Sequence, residues 1–294
     1  MNLVISAIAQ GFLWSIVSLG LFISFRILNV ADMTTEGSYP LGAAVCVILI
    51  YNGFNPVLAM AAAVIAGMLA GAITGFFITV CRIPSLLAGI LAMTGLLSIN
   101  LRIMQRANLS LLNQDTIFDW INRLPISKYA GMIAIGLLAV IILILFIRWF
   151  FLTEIGQALI ATGDNPKMAA SMGISTERMT VLGLVLANGM IALAGAILAQ
   201  NNGYADVNSG QGVIVIGLVA IIIGEVIFSR ATFFQRLGYT VLGAVIYRLL
   251  LLLVLKLDFI SANDFKLLSA ALIAGLLALP KIKAALGAKS KLLG

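Results

Sequence analysis

Apolar residues in this chain run in long blocks, broken by short polar stretches, in place of the 3.6- or two-residue alternation of a half-buried surface. Crossing a bilayer core takes about 20 apolar residues, and shorter runs survive where a helix is broken or buried in protein. Nine segments meet that description: Leu3 to Phe25, Tyr39 to Tyr51, Val57 to Val80, Leu86 to Leu101, Ala130 to Leu152, Met179 to Gln200, Val213 to Phe228, Leu237 to Leu255 and Phe265 to Leu279. The pattern predicts an all-α integral membrane protein of about nine transmembrane helices.

The short segments are the second, fourth, seventh and ninth, at matching places on either side of the fifth. This divides one transmembrane domain into a first repeat over 3–101, a linking helix over 130–152, a polar segment over 153–178, a second repeat over 179–280 and a basic tail over 281–294. The odd number of spans gives the two four-helix repeats opposite orientation, the plan in which broken helices line a path near the midplane. The polar approaches to segments two and seven, DMTTEGSYPLG from Asp32 and DVNSGQGVIVIG from Asp206, share an Asp followed by two glycines five apart, Gly37 with Gly42 and Gly212 with Gly217. Close helix packing is the other reading of such glycines.

Charge orients the chain. Retention of Lys and Arg on the cytoplasmic side puts most of the 18 basic residues inside, among them Arg26, Arg82, Arg148, Lys167, Arg178, Arg230, Arg236 and the tail lysines, with both ends of the polar segment 153–178 facing the cytoplasm and the N-terminus outside. The first apolar block has neither a basic leader nor a small-residue cleavage signal and reads as a retained helix. With 62% apolar and 10% charged residues the chain is no soluble globule. The +7 net charge serves topology, and no basic-aromatic motif points to nucleic acid.

Catalytic chemistry finds little to work with. The chain has no histidine, its two cysteines, Cys46 and Cys81, lie in or beside apolar spans, and neither a phosphate-binding Gly-x-x-x-x-Gly-Lys loop nor a nucleophile elbow is present. No catalytic or metal-binding group, and no cofactor of its own, is expected.

The polar segment TEIGQALIATGDNPKMAASMGISTER is built to present a short helix: Asn165 or Asp164 as N-cap, Pro166 at the first position, the helix to Met172, and Gly173 in the left-handed position that ends it. One lysine, Lys167, is too little charge for a headgroup-binding face, which favours a partner's socket over the lipid surface. The order Gly156, Ala161, Gly163, Asn165, Ala169, Ala170, Gly173, Ile174 resembles the coupling-helix motif of bacterial ABC importer permeases of the branched-chain amino acid and ribose permease superfamily, which makes Gly156, Ala161, Gly163, Asp164, Asn165, Pro166, Lys167, Ala169, Ala170 and Gly173 the expected ATPase-coupling residues. That resemblance implies a type II importer fold, a second copy of the chain, two cytoplasmic ATPase subunits that carry ATP and Mg, and an external solute-binding protein, all in the bacterial inner membrane. The runs DMTTEGSYPLGAA, IPSLLAGILAMTGLLSINLRIMQRANLSLL and IIIGEVIF look similar to a subgroup that imports tryptophan and other aromatic amino acids, so an aromatic or branched-chain amino acid is the first expectation, with sugars and nucleosides behind it.

The stretch NVADMTTEGSYPLG sets two carboxylates and three aliphatic hydroxyls at the threshold of a short span, and a helix starting near Ser38 would aim its N-terminal dipole at them. A capped cytoplasmic turn is the plainer alternative. Asn29, Asp32, Glu36, Ser38, Thr94, Asn100 and Asn188 are candidate pathway residues, with helix bridging the other role open to Thr94, Asn100, Asn188 and Gln200. Glu225 and Arg248 lie within spans, where a lone charge is costly, and are expected to pair with each other as a structural clamp. The loop from Arg102 to Tyr129, with Phe118, Trp120 and Tyr129, is expected on the outer surface, as a binding-protein dock or an interfacial belt. The rival reading, an ion-driven secondary transporter, would call for mid-depth carboxylates; Glu225 is the one acidic residue well inside a predicted span.

Overall fold

The computed structural model describes residues 2–122, 128–227 and 232–255, with 270, 274 and 275. Helix α1 spans Asn2–Leu21 and continues as a π-helix over Phe22–Ile27; α2 is Thr35–Tyr51, α3 Pro56–Thr79 and α4 Ser85–Met104. A three-residue strand, β1 (Asn108–Ser110), and α5 (Ile117–Asn122) lead to α6 (Lys128–Leu152). Two polar helices follow, α7 (Glu154–Asp164) and α8 (Pro166–Ser171), then α9 (Thr176–Asn202), β2 (Tyr204–Asp206), a 3-10 turn over Val207–Gly210, α10 (Val213–Ile227) and α11 (Phe233–Leu255). Among the described residues, seven helical stretches are long and apolar enough to cross a membrane, and α2 is shorter. Of the expected ninth span, Phe265 to Leu279, all but 270, 274 and 275 lie outside the described residues, as does the tail over 281–294.

The observed helices keep the predicted spans and extend most of them by one to four residues at their ends; side-chain caps open α3 (Asn55), α7 (Thr153), α8 (Asn165) and the 3-10 turn (Asp206). The segment between α6 and α9 holds two helices where a single one was expected: α7 begins at the Thr153 cap, whose hydroxyl accepts from the Gly156 N–H at 3.2 Å.

Helix α9 is the central post, with a nearly unbroken buried run from Ala187 to Gln200. Its small residues let neighbours approach to backbone contact. Gly67 and Gly71, one turn apart on α3, sit against the Asn188 and Leu184 carbonyls, and Gly42 of α2 sits against Ala192. In lipid, where apolar side chains gain little by meeting each other, such backbone-close packing is a main source of helix association. The larger core cluster joins α1, α6, α9, α10 and α11 around Phe22, Phe151, Ile191 and Leu237, whereas α3 and α4 turn rows of exposed apolar side chains such as Ile65, Leu69 and Ile73 away from the bundle.

Candidate functional site

Two helices start inside the bundle. Helix α9, with 27 residues, is roughly 40 Å long and Asn188 lies near its middle. The Asn188 side chain accepts from Ser38 Oγ at 2.7 Å and donates to Asp32 Oδ2 at 2.7 Å, so the first turn of α2 and the chain before it lie level with the centre of α9. After α1 ends, the chain turns back through Asn29, in the left-handed region at φ 56°, and returns to that depth before α2 begins. From the opposite end, the chain leaves α9 at Gly203, pairs β2 with β1, and dips until Gly210 rests against the Glu36 carbonyl; the Gly212 N–H then bonds Glu36 Oε1 at 2.9 Å and α10 starts at Val213. The starts of α2 and α10 therefore face each other near mid-depth. Non-helical backbone survives there because protein groups satisfy it: Asp32 Oδ1 accepts the Thr34 N–H at 2.9 Å, the Thr35 hydroxyl donates to the Asp32 carbonyl at 3.0 Å, and Thr34 shares a 2.7 Å bond with Thr74 of α3.

This depth corrects the sequence reading in one respect. Asp32 and Glu36, taken as residues at a threshold, lie deep in the bundle, so Glu225 is not the sole acidic group at depth and that ground for setting aside an ion-driven carrier falls away. Periodicity could not reveal this, because a polar re-entrant turn and a polar surface loop read alike in sequence.

The candidate pathway residues divide. Glu36, Thr94 and Asn100 line one cavity of about 150 Å³ between α2, α4 and the 207–211 turn, walled on its apolar side by Met93 and Leu97. Asn100 also ties α4 to α2 by donating to the Gly37 carbonyl at 3.3 Å. Asp32, Ser38 and Asn188 are buried in the network that holds α2 to α9. Gln200 likewise bridges elements, accepting from the Ile117 N–H at 3.0 Å and donating to Cys46 Sγ at 3.3 Å. Asn29 lies on neither: its side-chain amide donates to the Gly163 carbonyl at 3.0 Å, fastening the end of α1 to α7.

The expected Glu225–Arg248 pair does not form. Glu225, at the C-terminal end of α10, accepts from Arg26 Nε at 2.6 Å. Arg248 lies higher on α11 and covers the ring of Trp14 at 4.6 Å, and Trp14 in turn stacks on Tyr39 at 5.8 Å. The two residues sit at different depths, and the helix ends supply Glu225 with a nearer cation. Arg26 was read only as an orienting charge, yet its position at the C-terminal end of the first span, the same predicted side as Glu225, was the available signal.

The short helix α8 has the expected caps: Asn165 Oδ1 accepts the Met168 N–H at 3.1 Å, Pro166 opens the helix, and Gly173 closes it at φ +83°. Gly156 and Gly163 are pressed against the Phe150 and Ile27 carbonyls, and Ala169 is buried, so these three seat the segment on the bundle. Asp164, Asn165, Pro166, Lys167, Ala170 and Gly173 are exposed, Ala161 is half-buried, and Met168 and Met172 present 54% and 70% of their surface outward. A pair of soft, protruding thioethers flanked by small residues suits insertion into a partner's groove.

Known proteins place the chain. Residues 3–279 match the family described as branched-chain amino acid transport system / permease component. The chain belongs to that permease family. The permease is 37% identical to a tyrosine transport system permease protein of Clostridioides difficile, across 95% of this chain and 91% of that one. An uncharacterized protein of Rickettsia prowazekii is 38% identical over 78% of this chain and 79% of its own length. The autoinducer 2 import system permease protein LsrC of Escherichia coli is 28% identical over 60% of this chain and 51% of its own. Among solved structures, PsaBC from Streptococcus pneumoniae in complex with Fab superposes with a TM-score of 0.51 at 17% identity, covering 92% of this chain and 88% of that chain, a likeness of fold. The permease is thus a multi-pass protein of the bacterial inner membrane and a transport subunit, not an enzyme.

Proposed function

We propose that this permease is the membrane half of an ATP-driven importer for an amino acid, with an aromatic solute such as tyrosine first among them. The observation that carries the reading is the meeting of the α2 and α10 starts near mid-depth, stacked above a capped helix that faces the cytoplasm. Broken helices that expose their N-terminal ends to a polar cavity at the midplane are what solute passage requires. The tyrosine permease relative directs the substrate choice; sugars, nucleosides and the autoinducer handled by the more distant relative stand behind it.

The inverted-repeat plan of about nine spans is supported by packing: α11 lies along α1 as α3 lies along α9, and α10 flanks α11 as α2 flanks α3. Two copies form the complete path, and the exposed apolar rows on α3, α4 and α6 are the surfaces left for lipid and for the second copy. Two cytoplasmic ATPase subunits, which hold ATP and Mg, grip the segment 153–178 through α8, and a solute-binding protein delivers substrate to the outer face. Helix α7 passes their movement to α1 through the Asn29–Gly163 bond.

The test is to express the permease with the ATPase and binding protein encoded beside it, purify through a tag on the permease, and follow uptake of labelled L-tyrosine into liposomes. Copurified ATPase and ATP-dependent uptake, both lost when 167–172 is replaced by Gly-Ser while the chain stays folded, support the importer. Uptake driven by an ion gradient, with no ATPase bound, overturns it for an ion-coupled carrier.

A further inference from the structure

The outward faces of the membrane helices differ in chemistry. We propose that a second copy of this chain covers the exposed face of α4 together with the 207–211 turn, and that each copy completes the midplane cavity of the other. The inference rests on the two-copy importer above and names the surface through which the copies meet.

A contrast between helices carries the argument. Helix α3 turns outward Leu58, Ile65, Leu69 and Ile73, and α6 turns outward Leu138, Ile142 and Leu145. Hydrocarbon solvates such rows. On α4 the exposed leucines, Leu91 and Leu97, are interleaved with exposed Thr94 and Ser98. Thr94 returns its hydroxyl to the Ile90 carbonyl at 2.8 Å. Ser98 does not, and beside α4 the side chains of Asn208 and Gln211 are exposed as well. Among the described residues, neither those two side-chain amides nor the Ser98 hydroxyl has a hydrogen bond.

Depth makes this arrangement unfit for lipid. Gly37, in the first turn of α2, packs against Met93 and Leu96, which sets the middle of α4 level with the start of α2. The bond from the Gly212 N–H to Glu36 holds the 207–211 turn at the same level. Unpaired amides and hydroxyls in the hydrocarbon region call for protein or water, not acyl chains.

Symmetry selects the occupant. An amide or a hydroxyl both donates and accepts, so a two-fold axis that lays this face against itself offers each group a partner of its own kind. The stretch from Leu86 to Leu101 holds no charged residue, and two copies of it approach without repulsion. The cavity gives a second reason. Thr94, Leu97, Asn208 and Gln211 are at once exposed and part of its wall, so it opens on this face. Its volume of about 150 Å³ is that of a benzene-sized group, too little for a whole aromatic amino acid. Two such cavities joined across the axis have the room that one lacks.

The test asks what touches α4 in the membrane. Benzoylphenylalanine, a photoreactive probe, is placed at Ser98 and, in separate chains, at Leu69 of α3 and Ile142 of α6, and native membranes holding the assembled transporter are irradiated. The expected result is a product of twice the chain mass from the probe at Ser98, with permease peptides on both sides of the crosslink, and lipid adducts from the other two. Lipid adducts at Ser98, a crosslink there to a different protein, or doubled products from α3 or α6 alone overturn the proposal. Because the probe is bulky, Ser98→Cys and Leu69→Cys repeat the comparison with a flexible bis-maleimide in a Cys81→Ser background, Cys46 being buried. Joined copies are expected from Ser98→Cys and not from Leu69→Cys; failure of both probes at Ser98 to join two copies overturns the interface.

These readouts need neither ATP nor solute, which separates the inference from the reading beneath it. Copies joined through α4 in a permease that binds no ATPase sink the importer and leave the interface standing. ATP-driven uptake by a transporter whose Ser98 probe meets only lipid removes the interface alone.

Discussion

Glu36 Oε1 and the backbone N–H of Gly212 meet at 2.9 Å across 176 positions of sequence, and this contact sets the starts of α2 and α10 face to face inside the bundle. Close approach of the two backbones is part of the same junction, since a Cβ on Gly210 would overlap the Glu36 carbonyl. Gly210→Val is therefore expected to lower stability by about 3 kcal/mol or more, as an overpacked core does. Gly95→Ala, where nothing lies within 4 Å, should change it by less than about 1 kcal/mol. Unfolding midpoints in detergent, measured side by side, check the pair; equal midpoints would contradict the close packing at Gly210.

Asn188 serves Ser38 and Asp32 together, both buried. Asn188→Leu strips a donor from the carboxylate and an acceptor from the hydroxyl, and the expected cost is about 2 kcal/mol or more. The same assay reads it, and a variant as stable as the parent would mean that the network does not hold α2 in place.

Arg26 and Glu225 are partly exposed, with side-chain exposures of 44% and 31%, so screening limits their pair to about 1 kcal/mol or less. The prediction concerns identity of partner more than magnitude. Arg26→Glu and Glu225→Arg should each reduce the folded yield in the membrane, and the double swap should restore it. Combining Glu225→Arg with Arg248→Glu should restore nothing. Fluorescence-detected size-exclusion profiles of the five chains decide which residues are partners.

At α8 the exposed methionines should separate binding from folding. Met168→Asp with Met172→Asp is expected to abolish ATPase copurification and leave the unfolding midpoint within about 0.5 kcal/mol of the parent, as surface changes do. Asn165→Ala removes the cap on the Met168 N–H and should cost about 1 kcal/mol, read as fraying of this helix in hydrogen exchange. ATPase retained by the double Asp variant would move the docking surface elsewhere on 153–178.

Sequence carried the fold a long way. Block hydrophobicity located each described span within a few residues, because a bilayer demands length and apolarity whatever the tertiary contacts. The caps of α8 were legible for the same kind of local reason: Asn165, Pro166 and Gly173 act on their own helix. Depth was not legible. Asp32 and Glu36 look like loop residues until Asn188 and Gly212, more than 150 positions away, fix where they lie. Partner choice failed similarly at Glu225, where two cations were available by sequence and only the packing of α1 on α10 selects Arg26. Of the pathway candidates, Glu36, Thr94 and Asn100 came together on one wall, while chemically similar residues one or two turns away became braces.

The Asp32–Asn188 bond also constrains how the chain is made. These partners are 156 residues apart, so at bacterial elongation rates of about 5–20 residues per second the carboxylate waits roughly ten to thirty seconds for the amide that holds it. During that interval the newly made α2 has no α9 to lean on, and its polar approach has no seat in lipid. The first repeat must stay beside the translocation machinery, or another chaperoning surface, until α9 emerges.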